Sequence, residues 1–205
     1  MVHHPVGKNI LIVGACGGVG RAFLRTLVKD RGHVGKLLLV DKQEPGPDDQ
    51  GLLFQKLDGE FIQTTIDLDK GRGEYLDLLD RHAIDMAVDL SVNETRDMLS
   101  TTDGAGVRYI NTGVANRPGE TFSEVVLDLV HRRNASWNAS HILCSGMNPG
   151  VVNMWVRKAI EESGVPKNIV HFEYDTGEPV NGGAPIIAWS RETFLDEIVR
   201  DPAGY

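Results

Sequence analysis

The first half of the chain alternates short apolar runs with helical patterns and glycine-rich turns. Asn9-Ile10-Leu11-Ile12-Val13 is an apolar run that stops at Gly14, and a run with no polar face predicts a strand buried on both sides. From Gly18 to Arg31 the apolar positions are Val19, Ala22, Phe23, Leu27 and Val28. That spacing is helical, and Gly32 and Gly35 end it. Leu37-Leu38-Leu39-Val40 is a second buried strand with Asp41 at its end, so the opening segment predicts a right-handed βαβ unit.

The alternation continues. Glu44 to Gln50 carries Pro45, Gly46 and Pro47 and predicts a loop. Strands are predicted at Phe61–Ile66, Ile84–Leu90, Val107–Asn111 and His141–Cys144. Helices are predicted around Tyr75–Leu79, Glu94–Ser100 and Phe122–Arg133, the last with Val125, Val126, Leu129 and Val130 on one face. Repeated β–α alternation predicts a mainly parallel sheet covered on both sides, a doubly wound α/β Rossmann domain with strand order 3-2-1-4-5-6. After Ser145 the pattern changes. Pro149 is expected to start a helix running to about Ser163, followed by a strand at Asn168–Tyr174, a turn-rich stretch at Gly177–Pro185 and a helix at Phe194–Val199. These observations divide the chain into a dinucleotide-binding domain, 1–147, and a partial α+β segment, 148–205, too short to bury a core of its own.

The strongest local signal lies between the first strand and helix. Gly14-Ala15-Cys16-Gly17-Gly18-Val19-Gly20 has glycines at 14, 17 and 20, the G-x-x-G-x-x-G spacing. Gly14 permits a tight turn, Gly17 and Gly18 let a pyrophosphate approach the backbone, and Gly20 allows close helix–strand packing. The helix N-terminus then offers N–H groups to the phosphates. Asp41 is placed to bond the adenosine ribose and to repel a 2′-phosphate, which favours NAD over NADP; Lys42 beside it opposes that preference. Asp67 and Leu68 follow the third strand, where they either touch the adenine or, for Asp67, cap a helix. Ser91 and Asn93 follow the fourth strand near the point where strand order reverses. They are candidates to face the cofactor, and Asn93 is equally a candidate N-cap.

Bulk properties narrow the function. The 205-residue chain has a formal net charge of −8 and no basic cluster longer than Arg132-Arg133, which argues against nucleic-acid binding. No apolar run approaches the ~18 residues of a membrane span. Two cysteines, Cys16 and Cys144, and no secretory signal point to a reducing compartment, read as the cytoplasm. The seven histidines show no metal spacing, so no metal is expected. Cys144 has no readable His/Asp partners for a nucleophile.

Three strings add a resemblance. Val88-Asp89-Leu90-Ser91-Val92-Asn93, Tyr109-Ile110-Asn111-Thr112-Gly113 and Ser145-Gly146-Met147-Asn148-Pro149-Gly150-Val151-Val152-Asn153, with Glu173-Tyr174-Asp175-Thr176 and Ala188-Trp189-Ser190, resemble the homospermidine synthases of the saccharopine dehydrogenase-like family. The resemblance implies NAD as a resident redox agent. It also implies transfer of an aminobutyl group from one putrescine to another through an imine, with loss of ammonia, and a catalytic domain continuing beyond Tyr205. A dicationic amine needs carboxylates and aromatic faces. Glu173 and Glu197 are candidates for its ammonium ends and Trp189 for a cation–π contact, while by resemblance Asn148 faces the nicotinamide, with Pro149 at the first helical position and Gly150 admitting close approach. Each has an ordinary alternative: Glu197 on a solvated helix, Trp189 in a core or interface, Glu173 as a strand residue. A homodimer is expected. Two other readings stay open: an imine-reducing dehydrogenase of the saccharopine or carboxynorspermidine type, and a non-catalytic NAD(H)-binding module.

Overall fold

A computed structural model describes residues 7–46 and 50–170. Five strands form one parallel sheet: β1 (Lys8–Val13), β2 (Val34–Asp41), β3 (Gly59–Gln63), β4 (Met86–Asp89) and β5 (Arg108–Asn111). Their order is β3-β2-β1-β4-β5. Ile12 of β1 pairs with Leu39 of β2 on one side and Val88 of β4 on the other. The order reverses at β1, so the crevice between the β1 and β4 ends is where a doubly wound sheet binds ligands.

Strand alternation divides the core between the two sheet faces. Leu37 and Leu39 pack with Ile12, Leu24, Leu53 and Phe54, under α1 (Gly18–Leu27) and α2 (Gln50–Lys56). Leu38 and Val40 pack with Leu11, Tyr75, Leu79, Met98 and Tyr109, under α3 (Leu68–Arg81) and α4 (Thr95–Gly104). Each fully buried Leu or Ile contributes roughly 1.5–3 kcal/mol, which makes the central strands the rigid base for the loops above them. α5 (Phe122–Arg132) starts with a reciprocal cap, the Thr121 hydroxyl on the Glu124 N–H and the Glu124 carboxylate on the Thr121 N–H.

The doubly wound Rossmann-type α/β class stands, with five strands rather than six among the described residues. The expected sixth strand at His141–Cys144 is reduced to one parallel bridge, Ile110 with Ile142. Cys144 sits in left-handed backbone, φ 57°, which an extended strand cannot continue through. α2 follows the predicted Glu44–Gln50 loop, in a stretch to which the sequence pattern assigns no element, and it is held by buried Leu53, Phe54 and Leu57. α3 extends beyond the expected Tyr75–Leu79 at both ends, its first turn joined to the rest across a non-helical Gly71. The last described helix, α6 (Val151–Ser163), buries none of its side chains. It begins after Gly150, not at Pro149: the Gly150 N–H bonds the Asn153 side chain at 2.9 Å, and the Asn148–Pro149 peptide is cis. The strand expected at Asn168–Tyr174 and the helix at Phe194–Val199 lie wholly or partly outside the described residues. Among the described residues, no helix is long and apolar enough to cross a membrane.

Candidate dinucleotide-binding site

The loop after β1 is fixed by backbone bonds to β2. The N–H groups of Gly14 and Ala15 both donate to the Val40 carbonyl, at 2.9 and 3.2 Å. Gly14 has φ +80°, and a Cβ there would meet the Leu90 carbonyl oxygen at 2.7 Å. Gly20 is equally constrained: a Cβ would press on the Gly14 carbonyl and lie 2.6 Å from that of Ala15. The fold itself therefore requires glycine at 14 and 20.

Gly17 and Gly18 differ. A Cβ on Gly17 would touch only the Gly14 oxygen, at 3.4 Å, and one on Gly18 would meet nothing within 4 Å. Gly17 is the N-cap of α1 in ordinary extended backbone, with no side-chain cap bond. The first-turn N–H groups of α1 thus face a bare backbone surface, where a helix terminus attracts a phosphate. No packing contact requires glycine at 17 or 18, and their open side leaves the backbone accessible to a ligand. Val19, also expected at the cofactor, is half exposed on this first turn.

Asp41 closes the arrangement from the end of β2. One carboxylate oxygen accepts from the Cys16 N–H at 2.8 Å and the other from the Gln43 N–H at 2.9 Å. Two bonds leave further lone pairs on the carboxylate for ribose hydroxyls. Cys16 joins the site through its backbone. Burial, and then the adjacent Asp41 charge, push its thiol up to about 11 against the opposing Arg21, so it is no nucleophile at neutral pH.

A cleft of about 280 Å³ runs across the carboxyl ends of the strands, with Gly14 and Gly17 at its centre and Asp41 on one side. Ser91 and Asn93 line the other side. Thr64, Thr65 and Ile66 line the floor near Asp41. They were missed from sequence because β3 was expected to run to Ile66, whereas it ends at Gln63 and its loop starts earlier. Asp67 and Leu68, the residues singled out there, lie beyond the cleft lining: Asp67 caps α3 by accepting the Asp69 N–H at 3.1 Å, and Leu68 packs on the core. Asn93 is not the cap of α4. Glu94 takes that place by accepting the Asp97 N–H at 2.7 Å. Asn148 is exposed before α6 and outside the cleft lining, while Glu173, Trp189 and Glu197 lie outside the described residues.

Beneath the Ser91 side lies a buried polar group that sequence reading passed over. Asp89, fully buried at the end of β4, accepts from the Ser91 N–H at 3.0 Å, the Ser91 hydroxyl at 2.6 Å and the Tyr109 hydroxyl at 2.8 Å. Burial pushes its carboxyl above the usual range against these three donors. An Asp inside the apolar run Ala87–Leu90 was the available signal. Two further hollows, of about 400 and 160 Å³, open at the opposite, amino ends of the strands, away from the position at which this fold binds dinucleotides.

Residues 10–141 match the saccharopine dehydrogenase NADP-binding domain. The chain belongs to that family. No curated protein matches it. Among solved structures, this family member superposes on the homospermidine synthase of Legionella pneumophila in complex with NAD, with TM-score 0.61 and 14% identity over 78% of this chain and 35% of that one. It also matches dTDP-glucose 4,6-dehydratase from Bacillus anthracis in complex with NAD, with TM-score 0.49 and 12% identity over 76% and 62% of the two chains. The chain thus spans about a third of the length of that homospermidine synthase. At these identities the likeness is one of fold.

Proposed function

We propose that this chain is the cofactor-binding part of an NAD-dependent polyamine enzyme of the homospermidine synthase type, which moves an aminobutyl group from putrescine to a second putrescine. The observation that carries the cofactor reading is the pairing of the bare, uncapped α1 terminus at Gly17 and Gly18 with the Asp41 carboxylate that grips the same loop. The polyamine reading is supported by the sequence strings around Asp89–Asn93, Asn111 and Asn148, and by the shared fold with a homospermidine synthase.

The residues divide the work across the cleft. First-turn N–H groups of α1 hold the pyrophosphate, and Asp41 holds the adenosine ribose and disfavours a 2′-phosphate. Ser91 and Asn93 bound the nicotinamide half. When bound, NAD supplies a reversible two-electron acceptor for the amine-bearing carbon. Asn148, Glu173, Trp189 and Glu197 are assigned to the amine, the carboxylates for its ammonium groups and the indole for a cation–π contact. The enzyme acts in the cytoplasm as a homodimer, on a small dicationic substrate and not on nucleic acid or membrane.

The family match favours one second reading, an imine-reducing dehydrogenase of the saccharopine type. Two incubations of the full chain separate the outcomes, one with NAD+ and putrescine, the other with NADH, an amino acid and a 2-oxo acid. Homospermidine and ammonia in the first support the transferase. NADH-consuming coupling of the amino acid with the 2-oxo acid in the second supports the dehydrogenase, and cofactor binding without either product leaves only the binding module.

A further inference from the structure

A doubly wound sheet lays its dinucleotide across the strand ends, one nucleotide on each side of the reversal point. Here Asp41 and the Thr64–Ile66 segment mark the adenosine side, and α1 marks the pyrophosphate. The nicotinamide half is left with the β4 side, where Leu90 to Asn93 line the cleft. Directly below that lining is Asp89, at the last position of β4, paired in register with Val13 of β1 and Asn111 of β5.

The donors around Asp89 describe its charge state. The Ser91 N–H can only donate. The Ser91 hydroxyl oxygen accepts the Asn93 N–H at 3.2 Å, while its own proton points to Asp89. The Tyr109 hydroxyl also donates. Three donors on two oxygens suit an ionised carboxylate, which is acceptor-only, and they offset part of the cost of burying its charge. The same bonds tie the β4–α4 loop to the sheet at Ser91 and, through Ser91, at Asn93. Arginine and lysine do not enter the group: no cation bonds Asp89 among the described residues.

We propose that Asp89 is a positioning residue that sets the redox preference of the cleft: its buried negative charge under the nicotinamide half favours the oxidised, cationic ring over the reduced, neutral one. The inference rests on the dinucleotide reading above. A buried unit charge is poorly screened; at an effective permittivity of about 20, a charge lying on the order of 10 Å from the ring would shift the preference roughly tenfold.

The test is calorimetric titration of the full chain with NAD+ and with NADH at pH 8.5. In Asp89→Asn the ratio Kd(NADH)/Kd(NAD+) is expected to fall roughly tenfold. In Tyr109→Phe, which keeps the carboxylate but loses one donor, the ratio stays at or above the wild-type value. An Asn variant that loses affinity equally for both forms makes Asp89 merely structural and overturns the proposal. If the Asn variant does not fold, the wild-type ratio is followed from pH 8.5 to 5.0. The titratable groups facing Asp89 are Tyr109 from β5 and, further off, Tyr75 from α3, both pushed above the ordinary phenol range chiefly by burial. A ratio that falls on acidification supports the charge, and one that rises overturns it. Wild-type protein that binds neither form contradicts the cofactor reading itself, a result distinct from binding with an unchanged ratio.

Discussion

Gly17 and Gly20 sit three residues apart in the same loop, yet they should respond oppositely to a single added side chain. At Gly17 the backbone has φ −69° and ψ 170°, which serine adopts freely. Its Cβ would make only an ordinary contact with the Gly14 oxygen, and its hydroxyl would cap α1. Capping gains a few tenths of a kcal/mol over glycine, and the stiffer unfolded chain adds ~0.4–1 kcal/mol. Gly17→Ser should therefore keep or raise Tm, by up to roughly 4 °C at ~2–4 °C per kcal/mol for a chain of this size. The same hydroxyl occupies N–H groups that a pyrophosphate needs, and the Cβ stands in its path. Loss of one charge-assisted bond, ~1.5–3 kcal/mol, weakens dinucleotide binding roughly 10- to 100-fold. At Gly20 a Cβ runs into two carbonyl oxygens, so Gly20→Ala costs ~1–3 kcal/mol of stability as backbone overpacking. Differential scanning calorimetry and fluorescence titration read both quantities. Gly17→Ser that binds NAD+ like wild type, or that unfolds as readily as Gly20→Ala, refutes the division between ligand-facing and fold-required glycines.

Three further outcomes follow from the same geometry. Asp41→Ala removes both the ribose acceptor and the partner of the Cys16 N–H; competition titration should show the preference for NAD+ over NADP+ falling about tenfold or more, equivalent to at least ~1.4 kcal/mol, and an unchanged preference would place Asp41 away from the ribose. Asp103 accepts from His141 at 2.8 Å and from the Asn138 and Ala139 N–H groups; burial pushes its carboxyl up, but these bonds outweigh it and hold it below the usual 3.8. Its contribution is present above pH 3.8 and is lost as pH falls through the lower folded value, so the Tm gap between wild type and Asp103→Asn should be wide at pH 7 and close below that range, and a gap that widens in acid contradicts the pairing. Cys16, with its thiol pushed up to about 11, should alkylate slowly with iodoacetamide at pH 7 and faster as pH approaches 11; rapid labelling of that residue at pH 7 would mean that neither burial nor Asp41 acts on it.

The central sheet was legible because its strands are buried on both faces, so Ile10–Val13 and Leu37–Val40 read as unbroken apolar runs. The glycine loop and Asp41 were legible because each depends on a residue type at a fixed place relative to a strand end. Element ends were harder. β3 stops at Gln63 although Ile66 continues the apolar pattern, since Ile66 is buried from the loop that follows the strand. Hence the adenine-side expectation falls on Asp67 and Leu68, whereas the residues lining the cleft after β3 are Thr64–Ile66. The sixth strand failed at Cys144 because a left-handed backbone conformation leaves no mark in side-chain periodicity. Pro149 suggested a helix start, but Gly150 and Asn153 supply the cap instead. Glu94, with a longer side chain than the preferred capping residues, displaced Asn93 at the start of α4. The Asp89–Ser91–Tyr109 group was invisible as a unit because Tyr109 reaches it from another strand, 20 residues along the chain.

The central claim, that a dinucleotide lies across the carboxyl ends of β1, β2 and β4 with its pyrophosphate on α1, is tested most directly by titrating NAD+ into isotopically labelled protein and following backbone amide shifts. The expected result is saturable movement of the Gly17, Gly18 and Val19 amides together with those of Gln43 and Ser91, while Gly106 and Arg108 at the amino ends of the strands stay in place. An unmoved glycine loop, or shifts confined to the amino-end hollows, would contradict it.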